Sequence, residues 1–186
     1  DMYATMLAEI GAPDLVIANA GMAESAPIGK TSVDLWKRTI DVNLTGTFLT
    51  FREGLAVMDK AKPGRLISIA STAGLKGYAY VTAYCAAKHG VIGLVEGMAA
   101  ELASSSVTVN AVCPGFMETP MLEKSVENIV AKTCMSTDAA RASLAKINPQ
   151  NRFIQPDEVA NTAMWLCSPH AASITGQAIS VSGGEV

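Results

Sequence analysis

Four short apolar runs punctuate the chain: Asp14-Leu-Val-Ile-Ala18, Arg65-Leu-Ile-Ser-Ile-Ala70, Val107-Thr-Val-Asn-Ala-Val112 and Ala178-Ile-Ser-Val181. Each is nearly continuous in apolar content and bounded by Gly, Pro or Asn, the pattern of strands buried on both faces of a parallel sheet. Between them the apolar period lengthens to that of helices. Thr31-Ser-Val-Asp34 supplies a capping-box-like start to one long helix reaching about Met58. Ala87, Val91, Leu94, Val95, Met98 and Leu102 mark the inner face of a second. Pro156-Asp-Glu158 opens a third, with proline at its first position and acids against the dipole. Met2 to Ile10 reads as the tail of a further helix capped by Gly11. This alternation predicts an α/β architecture with right-handed crossovers, and a single domain over 1–186.

Between Pro114 and Pro156 the alternation loosens, and Glu118 to Lys146 is expected to form one or two helices outside the sheet. Ligands of α/β proteins bind beyond the carboxyl ends of the strands. An insertion there, at about 116–147, is therefore a candidate substrate lid. Met121, Leu122, Val126 and Ile129 form an apolar stripe on it, which either suits an acyl chain or packs the lid down.

Composition narrows the functional classes. A chain of 186 residues, 49% hydrophobic, can bury a full core. A net charge of −3 argues against a nucleic-acid surface, which needs a clustered basic face. The apolar stretches are interrupted well short of a membrane span. No basic segment followed by an apolar one opens the chain. The expectation is a cytoplasmic protein with no nucleic-acid and no membrane partner. Cys85, Cys113, Cys134 and Cys167 lack metal-like or redox spacing, so they read as reduced, mostly buried thiols, with no metal site.

The candidate chemistry lies at the strand ends and on the helix after the second strand. Asn19-Ala20-Gly21 follows the first strand, Ser71 the second, and Pro114-Gly115 the third. Tyr84 stands thirteen residues after Ser71, and Lys88 four after Tyr84, on one helix face. A phenol beside an ammonium is a way to make a proton donor usable near neutral pH. Bringing a tyrosine from about 10 to about 7 needs roughly 4 kcal/mol. One cation at about 4 Å supplies roughly that at an effective dielectric near 20. Asn43 sits inside the long helix, where asparagine is a poor helix former.

In order and spacing, Asn19-Ala-Gly21, Asn43, Ser71, Tyr84-x-x-x-Lys88 and Pro114-Gly-Phe-Met-Glu-Thr119 resemble the short-chain dehydrogenase/reductase family. The resemblance runs through the ending, Ile174-Thr-Gly-Gln-Ala-Ile-Ser-Val-Ser-Gly-Gly184. It implies a Rossmann-like, doubly wound parallel sheet and an NAD- or NADP-dependent interconversion of a carbonyl and a secondary alcohol. Tyr84 would be the general acid in reduction and base in oxidation. Lys88 would lower the pKa of Tyr84 and hold the nicotinamide ribose. Ser71 would bind the substrate oxygen, and Asn43 a water linking Lys88 to solvent. Asn19, Ala20 and Gly21 would border the cofactor, and Pro114, Gly115, Met117 and Thr119 would embrace the nicotinamide. A homodimer or homotetramer is implied, through the helices around 32 to 58 and after Tyr84, and through the last strand and helix.

The family's opening glycine-rich turn has no counterpart here. The chain is expected to lack the first three strand-helix units of the family's sheet, roughly 60 to 90 residues at about 30 per unit. The residue that selects NAD or NADP belongs to that part. The first strand then becomes an edge, and the isolated chain is expected to be impaired. Scaffold segments around Tyr84, Val109-Asn110 and Asn151-Arg152 look most like reductases of 3-oxoacyl thioesters, carried on acyl-carrier protein or CoA. A secondary alcohol dehydrogenase with a small or cyclic substrate, or a truncated assembly module without catalysis, are the alternatives. A serine hydrolase is excluded because Ser71 lies in Ile-Ala-Ser-Thr-Ala, not G-x-S-x-G. A P-loop fails because Glu24 stands where Gly29-Lys-Thr31 requires a first glycine. His89 and His170 read as surface or packing residues.

Overall fold

The computed structural model describes residues 2–186. Four parallel strands pair in the order β1 (Leu15–Ala18), β2 (Gly64–Ile69), β3 (Val107–Pro114) and β4 (Ala178–Val181). All four expected runs are strands, displaced by two residues or fewer. Register places Ile17 beside Ile67, Ile67 beside Asn110, and Val112 beside Ile179. Because every strand runs the same way, all four carboxyl ends share one edge of the sheet.

Helix α1 (Met2–Glu9) ends at Gly11, whose φ of +89° few other residues adopt. On one face of the sheet α3 (Gly46–Val57) and α4 (Thr82–Glu101) bury Phe51, Val91 and Val95 against Leu66, Val109 and Ala111. On the other, α7 (Pro156–Cys167) packs Val159, Ala163 and Leu166 over Ile67 and Val112. Burial of each large apolar side chain stabilises the fold by about 1.5–3 kcal/mol. Helix α7 starts as the acids and proline predict: Glu158 accepts the Gln155 N–H at 2.8 Å and is held well below its ordinary range, at about 2, by Arg152.

Two expectations need correction. The outer strands are not buried on both faces: Leu15 and Ile17 of β1 are exposed while Val16 and Ala18 are buried, and β4 is half-buried throughout. The sequence pattern records apolarity, whereas burial depends on which helix reaches the edge of the sheet, and α7 reaches only β2 and β3 in force. The long helix after Thr31 is also divided. Helix α2 (Val33–Ile40) is capped by Ser32, whose hydroxyl accepts the Leu35 N–H at 3.1 Å, in place of Thr31. It then widens into one π turn, Asp41–Thr45, before α3.

The segment outside the sheet is a helical hairpin, α5 (Pro120–Lys132) and α6 (Thr137–Ala145). Leu122 and Val126 meet Ala140, Leu144 and Phe153 in a small separate core, with Ile129 at its margin. The apolar stripe therefore packs the hairpin down, and of the four stripe residues Met121 is the exposed one. Arg141 ties the hairpin to the sheet side, reaching both Glu118 oxygens at 2.8 Å, pairing with Glu123 and lying over the Phe153 ring.

Candidate active site

The π turn places Asn43 where an ordinary helix would not. One extra residue per turn exposes backbone groups and re-aims side chains, which is why such turns recur at functional sites. Asn43 is fully buried and its amide is committed: Nδ2 donates to the Met22 carbonyl at 2.8 Å and to the Thr39 carbonyl at 2.9 Å, and Oδ1 accepts the Met22 N–H at 3.2 Å. It thus fixes the turn leaving β1. A Cβ on Gly21 would stand 3.0 Å from Asn43 Oδ1 and 3.8 Å from Lys88 Nζ, so bare backbone is what lets these three meet.

Lys88, on α4, is 3% exposed, and its ammonium donates to the Ile69 carbonyl at the end of β2, at 3.0 Å. Burial pushes it down to about 8. Its Nζ lies 5.7 Å from the centroid of the Tyr84 ring, over the face. Tyr84 is half-buried and its phenol is raised above the ordinary value by burial, with a hydrogen bond from Ser71 acting in the opposite direction. The expected lowering by Lys88 is not what the geometry gives. The cation sits on the ring face and is itself anchored to a backbone carbonyl, so Ser71 is the group that eases the phenol's ionisation here.

Ser71 has extended backbone, and its Oγ accepts the Ala73 N–H at 3.1 Å, capping the short turn Thr72–Gly74. That turn lies hard against α4: a Cβ on Gly74 would fall 2.8 Å from the Lys88 carbonyl oxygen. The serine and the Tyr84–Lys88 helix are thereby locked together. Cys113, at the end of β3, is buried among them. Burial raises its thiol to about 11, while the Ser71 backbone N–H and Lys88 lower it, so it stays protonated at neutral pH.

Asn19 and Met117 share one groove with Ile69. Met117 bridges Ile154, and Thr119 hydrogen-bonds the Met117 carbonyl at 3.1 Å. Pro114 is buried in the last position of β3, with Gly115 just beyond it. Ala20 is exposed and touches none of these groups through a hydrogen bond. His89 is exposed and bonds the Cys85 carbonyl. Among the described residues no cluster of His, Cys, Asp and Glu could hold a metal, and no helix is long and apolar enough to cross a membrane.

A family model described as enoyl-(acyl carrier protein) reductase matches residues 1–185. A D-beta-hydroxybutyrate dehydrogenase of Rhizobium meliloti is 39% identical over 99% of this chain and 72% of its own length. A putative ketoacyl reductase of Streptomyces coelicolor is 36% identical over 98% and 71%. The chain belongs to the short-chain dehydrogenase/reductase family. Among solved structures, an actinorhodin polyketide ketoreductase with NADPH superposes with a TM-score of 0.93 at 35% identity, over 98% of this chain and 70% of that one. As a member of that family, the chain is an NAD(P)-dependent oxidoreductase interconverting carbonyl and alcohol.

The residues of this dehydrogenase/reductase fit the cofactor. Lys88 Nζ gives one of its three N–H groups to Ile69, leaving two for the hydroxyls of a ribose. Gly21 leaves open the space beside that ammonium that a Cβ would enter, at 3.8 Å. Four residues near the site escaped the sequence reading: Thr72, Lys76, Tyr78 and Glu185. Tyr78 carried a local signal, as an aromatic between Ser71 and Tyr84. Glu185 carried none, because its partners are more than a hundred positions away.

Proposed function

We propose that the site reduces the ketone of a 3-oxoacyl thioester to the alcohol, with Tyr84 as proton donor and Ser71 as the group that polarises the carbonyl. The observation that carries this reading is the Lys88 ammonium, anchored to the Ile69 carbonyl over the Tyr84 ring, with the Ser71 turn packed against the same helix. The reduced nicotinamide supplies hydride chemistry when bound. The protein's own part is positional and electrostatic. Ser71 donates to the carbonyl oxygen, which draws negative charge onto that oxygen. Tyr84 delivers its proton to the same atom as the alcohol forms. The two N–H groups of Lys88 not given to Ile69 hold the nicotinamide ribose. Asn43 keeps Gly21 against that ribose through the Met22 backbone. Asn19, Ala20, Pro114, Gly115, Met117 and Thr119 border the nicotinamide, and the α5–α6 hairpin closes over the substrate.

The relatives' names support the thioester, since ketoacyl reductases and a 3-oxoacyl-acyl-carrier-protein reductase of Vibrio harveyi, 38% identical, stand among them. The hydroxybutyrate dehydrogenase favours a second reading, oxidation of a small hydroxy acid. A cytoplasmic homodimer or homotetramer completes the proposal, with the exposed Phe48 and Leu49 of α3 as part of a subunit contact. The test is a comparison of acetoacetyl-CoA reduction with 3-hydroxybutyrate oxidation by the protein carrying this chain, using NADH, NADPH and their oxidised forms. A kcat/KM higher for the hydroxy acid than for the thioester would sink the thioester assignment.

A further inference from the structure

The end of the chain returns to the site. Glu185 has a side chain 1% exposed, and its Oε1 accepts from the Tyr78 hydroxyl and pairs with Lys76 Nζ at 3.0 Å. The Tyr78 hydroxyl also meets Thr72 Oγ1 at 2.6 Å. Thr72 is buried and adjacent to Ser71. The second oxygen, Oε2, is buried without a hydrogen-bond partner and packs against Gly115, where an added Cβ would fall 2.9 Å away. A buried carboxylate with an unpartnered oxygen opposes folding. An apolar residue would anchor a tail at less expense, so the charge calls for another explanation.

The turn that Glu185 grips is the one that carries the substrate-polarising group. Among the described residues its hydrogen bonds run unbroken from Lys76 and Glu185 to Tyr78 to Thr72, next to Ser71. Tyr78 is further wedged edge-on against Phe116, at 6.2 Å between ring centroids. The tail thus couples the strand-end segment at Gly115–Phe116 to the turn at Ser71–Gly74. We propose that Glu185 is a positioning residue for Ser71, holding the serine on its turn through Tyr78 and Thr72 so that its hydroxyl stands beside Tyr84, where the carbonyl is bound. This rests on the reading of Ser71 and Tyr84 given above. The phenol of Tyr78, raised by burial and by Glu185, stays protonated and able to donate.

The test uses Tyr78→Phe, which keeps the ring and its packing, and Glu185→Ala. The NMR resonance of the Tyr84 phenol carbon at neutral pH, assigned by its loss in Tyr84→Phe, reports the approach of the Ser71 hydroxyl without cofactor or substrate. Ser71→Ala gives its position when that hydroxyl is absent. Both variants are expected to move the resonance toward the Ser71→Ala position. Each is also expected to lower kcat by roughly 10- to 100-fold with KM within about 3-fold, as misplacement of a reacting group does. The double variant should be no worse than either single one, because all act through one chain of contacts. A Tyr84 resonance left at its parental position in Tyr78→Phe would overturn the proposal, as would additive losses in the double variant. Absence of thioester reduction in the parent would count against the proposed substrate alone, since the resonance still decides the role of Glu185.

Discussion

The catalytic edge and the α5–α6 hairpin are built by opposite means. At the edge, polar groups are buried and pinned by backbone: Lys88 to Ile69, Asn43 to Met22 and Thr39, Ser71 to Ala73. The Lys88–Ile69 and Asn43–Met22 contacts join residues 19 and 21 positions apart, so they form only with the tertiary structure. The hairpin has its own apolar cluster, and its polar ties are surface ion pairs around Arg141. One region holds polar groups in place against the expense of desolvation; the other is held by a small apolar core of its own.

The sharpest way to break this comparison is at Tyr84. Tyr84→Phe removes the proposed proton donor and is expected to lower kcat by about 10²–10⁴-fold, while cofactor affinity, read by a fluorescence titration, changes little. No comparable loss is expected from any single change in the hairpin.

Lys88→Met is expected to lower turnover and yet raise stability by about 1–3 kcal/mol in urea unfolding, because it removes a buried ammonium. The pH dependence follows from its position near 8 against the ordinary 10.5. Below about 8 both folded and unfolded chains carry the proton, and the penalty of burying it is fully present. Between about 8 and 10.5 the folded chain sheds it first, so this group makes stability rise with pH. Cys113, raised to about 11 from 9.0, acts the other way between those values. The signature of Lys88 is therefore the difference between parent and Lys88→Met, measured from pH 7 to 10.5, and the parent alone should gain across that window.

Legibility in the sequence followed the same division. The strands, α4 and α7 were readable because apolar runs, helical spacing and the Pro156-Asp-Glu158 start are local signals. Ser71, Tyr84 and Lys88 stood out by their spacing and Asn43 by its place in a helix; the structure packs the Ser71 turn against the helix of Tyr84 and Lys88, with Asn43 beside Gly21. What could not be read depends on distance in space. The π turn at Asp41–Thr45 has no composition of its own, and exposure of Leu15 and Ile17 is set by where α7 lies. The phenol's environment was misjudged because i, i+4 spacing sets a shared face but does not say which atom the ammonium approaches. The Tyr78–Glu185 contact joins residues 107 positions apart.

Smaller effects belong to the hairpin. Leu122→Ala empties part of its core and is expected to cost about 2–5 kcal/mol of local stability. Amide exchange should speed up in α5 and α6 while the sheet keeps its protection, and KM should rise more than kcat falls. Spread of the exchange change into β2 and β3 would show that the hairpin is not a separate unit. Arg141→Gln is the mildest change, since exposed ion pairs contribute little. The unfolding midpoint is expected to stay put, with faster exchange confined to α6.

The most direct test of the account is a double-mutant cycle on kcat across Ser71→Ala, Tyr84→Phe and the two together. In the proposed mechanism Ser71 and Tyr84 act together on a single carbonyl oxygen. The account expects the double variant to be about as slow as Tyr84→Phe alone, as groups that work as a unit are grossly non-additive. Losses that multiply across the cycle would contradict it, because they would mean that the two hydroxyls act independently.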